Sequence, residues 1–267
     1  MKYLFYLIFP LLIFAQDPSF HEPWKLEGAS ERIEKYRKTN TILNFNFPTD
    51  IKKKNGKLKI KLINHDIKFG VGFTQLRKMR GNMFDLYLER FKEAFNYATV
   101  GMYWGLTDER SSRKQIDKYY DDIIKWSIKN NVRLKGHPLM WHEGMPDWVR
   151  YSKDLDELEV AMKTHMRRLI ETYPEINDWD VYNEPVGPFK PHIPYSAIQD
   201  WINYKGGIYP AMVEIYQFVN SVNPDKNYSN NHYHAKDPEY FKINEYYVQK
   251  NLNFSSIGMQ AHMQSND

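Results

Sequence analysis

The 267-residue chain contains no cysteine. That excludes disulfides, thiolate catalysis and cysteine-ligated zinc, so stability has to come from packing. Runs of like charge are also missing. The 37 basic and 33 acidic residues are scattered, only Lys52 to Lys54 stand together, and the net charge is +4. No stripe suits a nucleic-acid backbone, and a neutral partner fits better. Repeats and low-complexity linkers are absent, which argues for one large domain. Outside the first fifteen residues no apolar stretch is long enough to span a bilayer.

Aromatic residues, by contrast, are abundant at 16%, with 7 Trp and 20 Tyr. They suit either a large core or a site whose ligand offers flat C–H faces, as sugars do. Residues 1–15 carry one lysine, then an apolar run broken by Pro10, and end on the small Ala15. This pattern predicts a signal peptide, hence a secreted protein, periplasmic or extracellular, that touches a membrane only through this leader. Residues 16–66 form a lead-in: a helix over 27–38, then alternating residues over 41–63 around Asn55-Gly56, a hairpin turn.

From residue 67 to 267, short β-rich runs alternate with helix-period segments. Predicted strands cover 67–73, 97–103, 132–140, 178–183, 227–231 and 255–261. Between them lie helices marked by Phe84/Leu88/Phe91/Phe95, Ile116/Tyr119/Ile123/Trp126, Leu158/Met162/Leu169, Met212/Ile215/Val219/Val222 and residues 238–250. Such alternation predicts parallel βαβ units. No glycine-rich phosphate loop follows the first strand, and polar or aromatic clusters end three strands, which favours a (β/α)8 TIM barrel over an open doubly wound sheet. Only about six βα units are present. The expected fold is therefore an incomplete barrel that continues beyond Asp267, since a curved parallel sheet leaves unpaired edges.

Three segments carry the candidate chemistry. In WDVYNEP, Trp179 to Pro185, a strand runs straight into Asn183-Glu184-Pro185 at its C-terminal end, where a barrel collects its catalysts. Strand alternation puts Asp180, Tyr182 and Glu184 on one side. Glu184 is thus a candidate proton donor to a glycosidic oxygen, with Asp180 in support. In GHPLMWHEGMPDW, Gly136 to Trp148, His137 and Trp141 offer a hydrogen-bonding ring and an apolar face to a sugar, and His142 could hold a catalytic carboxylate in its charged state. In IGMQAHM, Ile257 to Met263, Gln260 and His262 alternate onto one face. Two other classes compete with a glycosidase. One is a non-catalytic carbohydrate-binding remnant using Trp141 and Trp148 as platforms. The other is a metal-dependent hydrolase using His232 and His234, disfavoured because the carboxylate and lysine ligands of such barrels are missing.

These segments together resemble glycoside hydrolase family 10, mostly endo-β-1,4-xylanases built on a (β/α)8 barrel. ERIEKYRK, HDIKFGVGF, GHPLMWH, WDVYNEP and IGMQAHM follow the family's order over residues 28–263. The resemblance implies that Glu184 is the acid/base, that Asn183 bonds the sugar 2-hydroxyl, and that His137, Trp141, Gln260 and His262 line the site. It implies retaining hydrolysis of xylan through a glycosyl-enzyme, by a monomer without cofactor or metal. The chain departs from the family at residues 99–104, Thr-Val-Gly-Met-Tyr-Trp, which are shorter than the Glu-Asn-Glu-Met-Lys-Trp of many members. The family's nucleophilic glutamate follows a seventh strand, and neither Glu143 nor Asp267 matches it. The chain as written is expected to be inactive.

Overall fold

The computed structural model describes residues 26–42, 44, 59–61, 66–110, 114–190, 192–234 and 236–260. The predicted leader and most of the predicted hairpin therefore lie outside the described residues. The chain divides into two compact units, Met1–Lys61 and Leu62–Asp267. In the first, α1 (Ala29–Arg37) starts after Gly28, whose φ of 71° suits glycine, and it buries no side chain.

The second unit alternates strand and helix in the expected sequence. It runs β1 (Gly70–Gly72), α2 (Asn82–Ala94), β2 (Tyr97–Gly101), α3 (Trp104–Thr107), α4 (Lys114–Lys129), β3 (Arg133–His137), β4 (Met140–Trp141), α5 (Asp147–Arg150) and α6 (Leu155–Thr172). There follow β5 (Asp178–Asn183), α7 (Ala197–Tyr204), α8 (Ile208–Val222), β6 (Asn227–His232), α9 (Pro238–Gln249) and β7 (Ser256–Met259). All strand pairs are parallel. The order is β1-β2-β3-β5-β6-β7, with the two-residue β4 beside β5. Each long strand thus neighbours its predecessor in the chain. An open doubly wound sheet reverses direction at a switch point, whereas this order is that of consecutive barrel units. Among the described residues of this unit, the sheet is that of an incomplete barrel.

The predicted third strand, residues 132–140, divides into β3 and β4 around the cis His137-Pro138 bond. The helices bury the apolar positions that set their period. Leu88 and Phe91 of α2, Leu158, Met162 and Leu169 of α6, and Met212, Ile215 and Val219 of α8 are all within the core. Asp154 caps α6 by accepting from the N–H groups of Asp156 and Glu157. On the helix-facing side of the sheet the Trp179 ring lies across Gly136, where a Cβ would come within 2.1 Å of it. Glycine is therefore required one residue before His137, and the closeness of Trp179 fixes β3 against β5 at the height of the candidate site. All six residues of β5 are buried, whereas β1 and β7, the outer strands among the described residues, are largely exposed.

Candidate active site

β5 ends on Asn183 and delivers Glu184 to its C-terminal rim. Glu184 is a non-glycine residue in the left-handed region, with φ 60°, a conformation that costs about 1–2 kcal/mol. Two backbone bonds hold it there: Glu184 N–H donates to the Asn231 carbonyl at 2.7 Å, and the Glu184 carbonyl accepts from Gly187 N–H at 2.8 Å. The strain has a consequence for direction. The β5–β6 register shifts between Asp180 and Asn183, so strict alternation of Asp180, Tyr182 and Glu184 fails. Asn183 and Glu184, consecutive in sequence, instead reach the same amide. Gln260 Nε2 lies 2.9 Å from Glu184 Oε1 and 3.2 Å from Asn183 Oδ1. Tyr182 is fully buried, without a partner for its hydroxyl among the described residues.

The other carboxylate oxygen, Glu184 Oε2, accepts from Trp141 Nε1 at 3.3 Å. Trp141 stands on β4 directly opposite Asn183. Asn231, on β6, donates to Asn183 Oδ1 at 2.8 Å. Four strands thus bring Trp141, Asn183, Gln260 and Asn231 around one glutamate that is 9% exposed. His262 lies outside the described residues.

Beneath this rim sits Asp180, 1% exposed. Lys135 Nζ is 2.6 Å from its Oδ1, Ser229 donates to the same oxygen at 2.6 Å, and His137 Nδ1 is 2.8 Å from Oδ2. Burial pushes the Asp180 carboxyl up, but the His137 hydrogen bond and the Lys135 charge outweigh it and hold the group below the ordinary carboxylate range. His137 is therefore tethered to Asp180. The tether turns its ring edge-on to Tyr103, which in turn packs against Trp141. Burial, then the charges of Glu184 and Asp180, raise the Tyr103 hydroxyl above its ordinary range. Tyr103 belongs to the segment that departs from the family pattern, and its aromatic ring now fills this wall. Lys135 and Ser229 were not among the sequence candidates; period-two spacing from His137 marks Lys135, but nothing local marks Ser229, whereas Asn231 stood in the weaker polar group that includes His232 and His234.

His142, expected to hold a catalytic carboxylate in its charged state, makes no hydrogen bond to one among the described residues. It is fully buried, and neither ring nitrogen has a hydrogen-bond partner among the described residues. Burial, followed by the charges of Arg150 and His232, pushes its pKa down to about 4, so the ring is neutral at ordinary pH. Beside it stands Glu143, raised above the ordinary carboxylate range by burial and then by Glu184, with Arg150 opposing.

The remaining sequence candidates are accounted for elsewhere. Trp148 donates to Asp108 at 3.1 Å, and the Arg110 guanidinium lies 3.5 Å from its ring centre, so one face of this indole is covered by the chain itself. His232 is fully buried against Tyr240 and Tyr233. Among the described residues the metal-competent grouping of donors is His142, Glu143 and Glu184, which includes neither His232 nor His234.

Comparison with known proteins matches residues 58–267 to the model of glycosyl hydrolase family 10. A β-1,4-xylanase of Dictyoglomus thermophilum is 26% identical over 147 residues, which are 53% of this chain and 40% of that protein. Endo-1,4-β-xylanase A of a Caldicellulosiruptor strain is 26% identical over 160 residues, 54% of this chain and 23% of that protein. Among solved structures, a family 10 protein from Paenibacillus barcinonensis superposes with a TM-score of 0.60 at 21% identity, covering 73% of this chain and 60% of that one. A psychrophilic family 10 endo-β-1,4-xylanase gives 0.54 at 23%, over 73% and 63%. These solved relatives share the fold, and the chain spans about three fifths of their length. With 210 of its residues under one family model, this chain belongs to glycosyl hydrolase family 10.

Proposed function

We propose that this protein hydrolyses internal β-1,4 bonds of a plant-type polysaccharide, xylan first, with Glu184 as the acid/base of a retaining mechanism. The observation that carries the reading is the hydrogen bonding of Glu184. Trp141 and Gln260 fix its two oxygens at the C-terminal rim of β5, with Asn183 sharing the same amide. The xylanases to which the chain is similar support the substrate class.

In this mechanism a carboxylate attacks the anomeric carbon while Glu184 gives its proton to the departing glycosidic oxygen. Water then displaces the carboxylate as Glu184 takes a proton back. The nucleophile is read as a carboxylate outside the described residues, about 5–5.5 Å from Glu184. A chain with Glu184 and no such partner forms no covalent intermediate. The leader over residues 1–15 supports action outside the cytoplasm, on a polymer too large to enter, and the protein is read as a monomer.

The test is Glu184→Gln in protein expressed from the complete reading frame. Release of reducing ends from xylan should fall by about 10²–10⁴-fold. The kcat/KM for an aryl β-xylobioside, whose phenolate leaves without a proton in the first step, should fall far less. An equal loss on both substrates, or no loss on xylan, removes the acid/base assignment.

A further inference from the structure

Beside the glycosidase chemistry, the same rim holds an arrangement that general acid catalysis does not require. His142, Glu143 and Glu184 each offer one ligand atom, and the three atoms lie within 4.8 Å of one another. Two carboxylates alone would mean little. The second observation is the imidazole: His142 is fully buried, unpartnered at both nitrogens among the described residues, and its Nε2 faces Glu143 Oε1 at 3.7 Å. A buried polar atom left without a bond is costly and asks for an occupant. The opposite wall is Gly187, where a Cβ would lie 3.2 Å from His142 Nε2, so glycine keeps that edge of the ring uncrowded.

We propose that His142, Glu143 and Glu184 bind one divalent transition-metal ion of the zinc class, and that the bound ion takes Glu184 away from the glycan. One imidazole nitrogen with two carboxylate oxygens is a donor set for such ions, whereas calcium and magnesium prefer oxygen alone. With zinc–ligand bonds of about 2.0–2.2 Å, tetrahedral donors stand about 3.5 Å apart. The trio must therefore close by little more than ~1 Å, and Glu143, the least buried of the three, is the side chain placed to swing. Water completes the fourth position. Glu184 keeps its bonds to Trp141 and Gln260, because each carboxylate oxygen carries a second lone pair. The nearby cation Arg150, which donates to the Glu143 carbonyl, weakens the site, and the two carboxylates offset it. Competition with glycan rests on the acid/base reading of Glu184, but metal binding does not.

The experiment is calorimetric titration of chelator-treated protein with zinc chloride, repeated on Glu143→Gln and Glu184→Gln. As a control, Glu171→Gln alters an exposed carboxylate on α6 that pairs with Arg167. The expected result is one zinc per chain, a dissociation constant weakened at least tenfold in the first two variants, no change in the control, and no saturable binding of calcium chloride. Absence of saturable zinc binding, or equal affinity in wild type and Glu143→Gln, overturns the site. In protein active on xylan, zinc should inhibit, and Glu143→Gln should raise the zinc needed by the same factor. Inhibition indifferent to that substitution overturns the competition. Failure of the glycosidase reading is seen separately, as inactivity on xylan in metal-free buffer with zinc binding intact.

Discussion

Asp180 and Glu184 leave the same strand four residues apart, and the protein treats them oppositely. The lower carboxylate is enclosed by Lys135, His137 and Ser229. Among the described residues the upper one receives side-chain hydrogen bonds from the neutral N–H groups of Trp141 and Gln260, and it holds a strained backbone conformation. The difference teaches how a single strand separates support from reaction. The His137 hydrogen bond and the Lys135 charge favour the Asp180 anion, which aims His137. Neutral donors position Glu184 at the rim.

Removing the charge from the lower carboxylate should break the comparison most severely. Asp180→Asn leaves Lys135 without its counter-charge, and loss of one partner from a buried pair costs about 3–5 kcal/mol, measurable as a lower urea midpoint. The pH dependence comes next. In the unfolded chain His142 binds a proton below its ordinary 6.5, whereas in the folded chain it resists until about 4. The unfolded state therefore binds more protons across that window. Stability is complete above 6.5 and falls by up to about 3 kcal/mol as pH drops to 4. His142→Gln should flatten this slope in urea melts taken between those values. The depressed Asp180 carboxyl adds a loss of the same sign at lower pH, below the ordinary carboxylate value.

Ser229→Ala, which deletes a hydrogen bond to the buried anion, should cost about 1.5–3 kcal/mol. It should leave the rim geometry unchanged, so an effect confined to stability sharpens the contrast between the two layers. Smallest in stability is Trp141→Phe, which keeps the ring and removes the bond to Glu184. A cost within about 1 kcal/mol is expected, alongside a fall in xylan turnover measured on the complete protein. A stability loss as large as that of Asp180→Asn would erase the distinction between support and rim.

Much of this was legible in the sequence because local pattern and tertiary demand agree. The boundaries of β5 follow from the alternating stretch Asp178–Asn183 that runs into Glu184-Pro185, and α2, α4, α6 and α8 follow from apolar spacing. The helix α7 escaped, although Ser196 and Gln199 form a capping box and Ile198, Trp201 and Ile202 share its buried side. Single turns such as α3 and α5 are too short to show a period. Within the site, Glu184, Trp141, Asn183 and Gln260 were singled out and do converge. The register shift that sends Asn183 and Glu184 to one amide depends on the backbone of β6 and on no residue type. The neutrality of His142 arises from how deeply it is buried, a property of packing that sequence spacing does not encode.

Gln260 is held at the end of the outermost described strand, by its own N–H to the His232 carbonyl. Its side chain nevertheless clamps the two central residues Asn183 and Glu184. The position of the candidate acid is thereby tied to the outermost described strand. Loosening of β7 would loosen the clamp on Asn183 and Glu184, and deuterium uptake at the Gln260 amide is a direct gauge of that coupling.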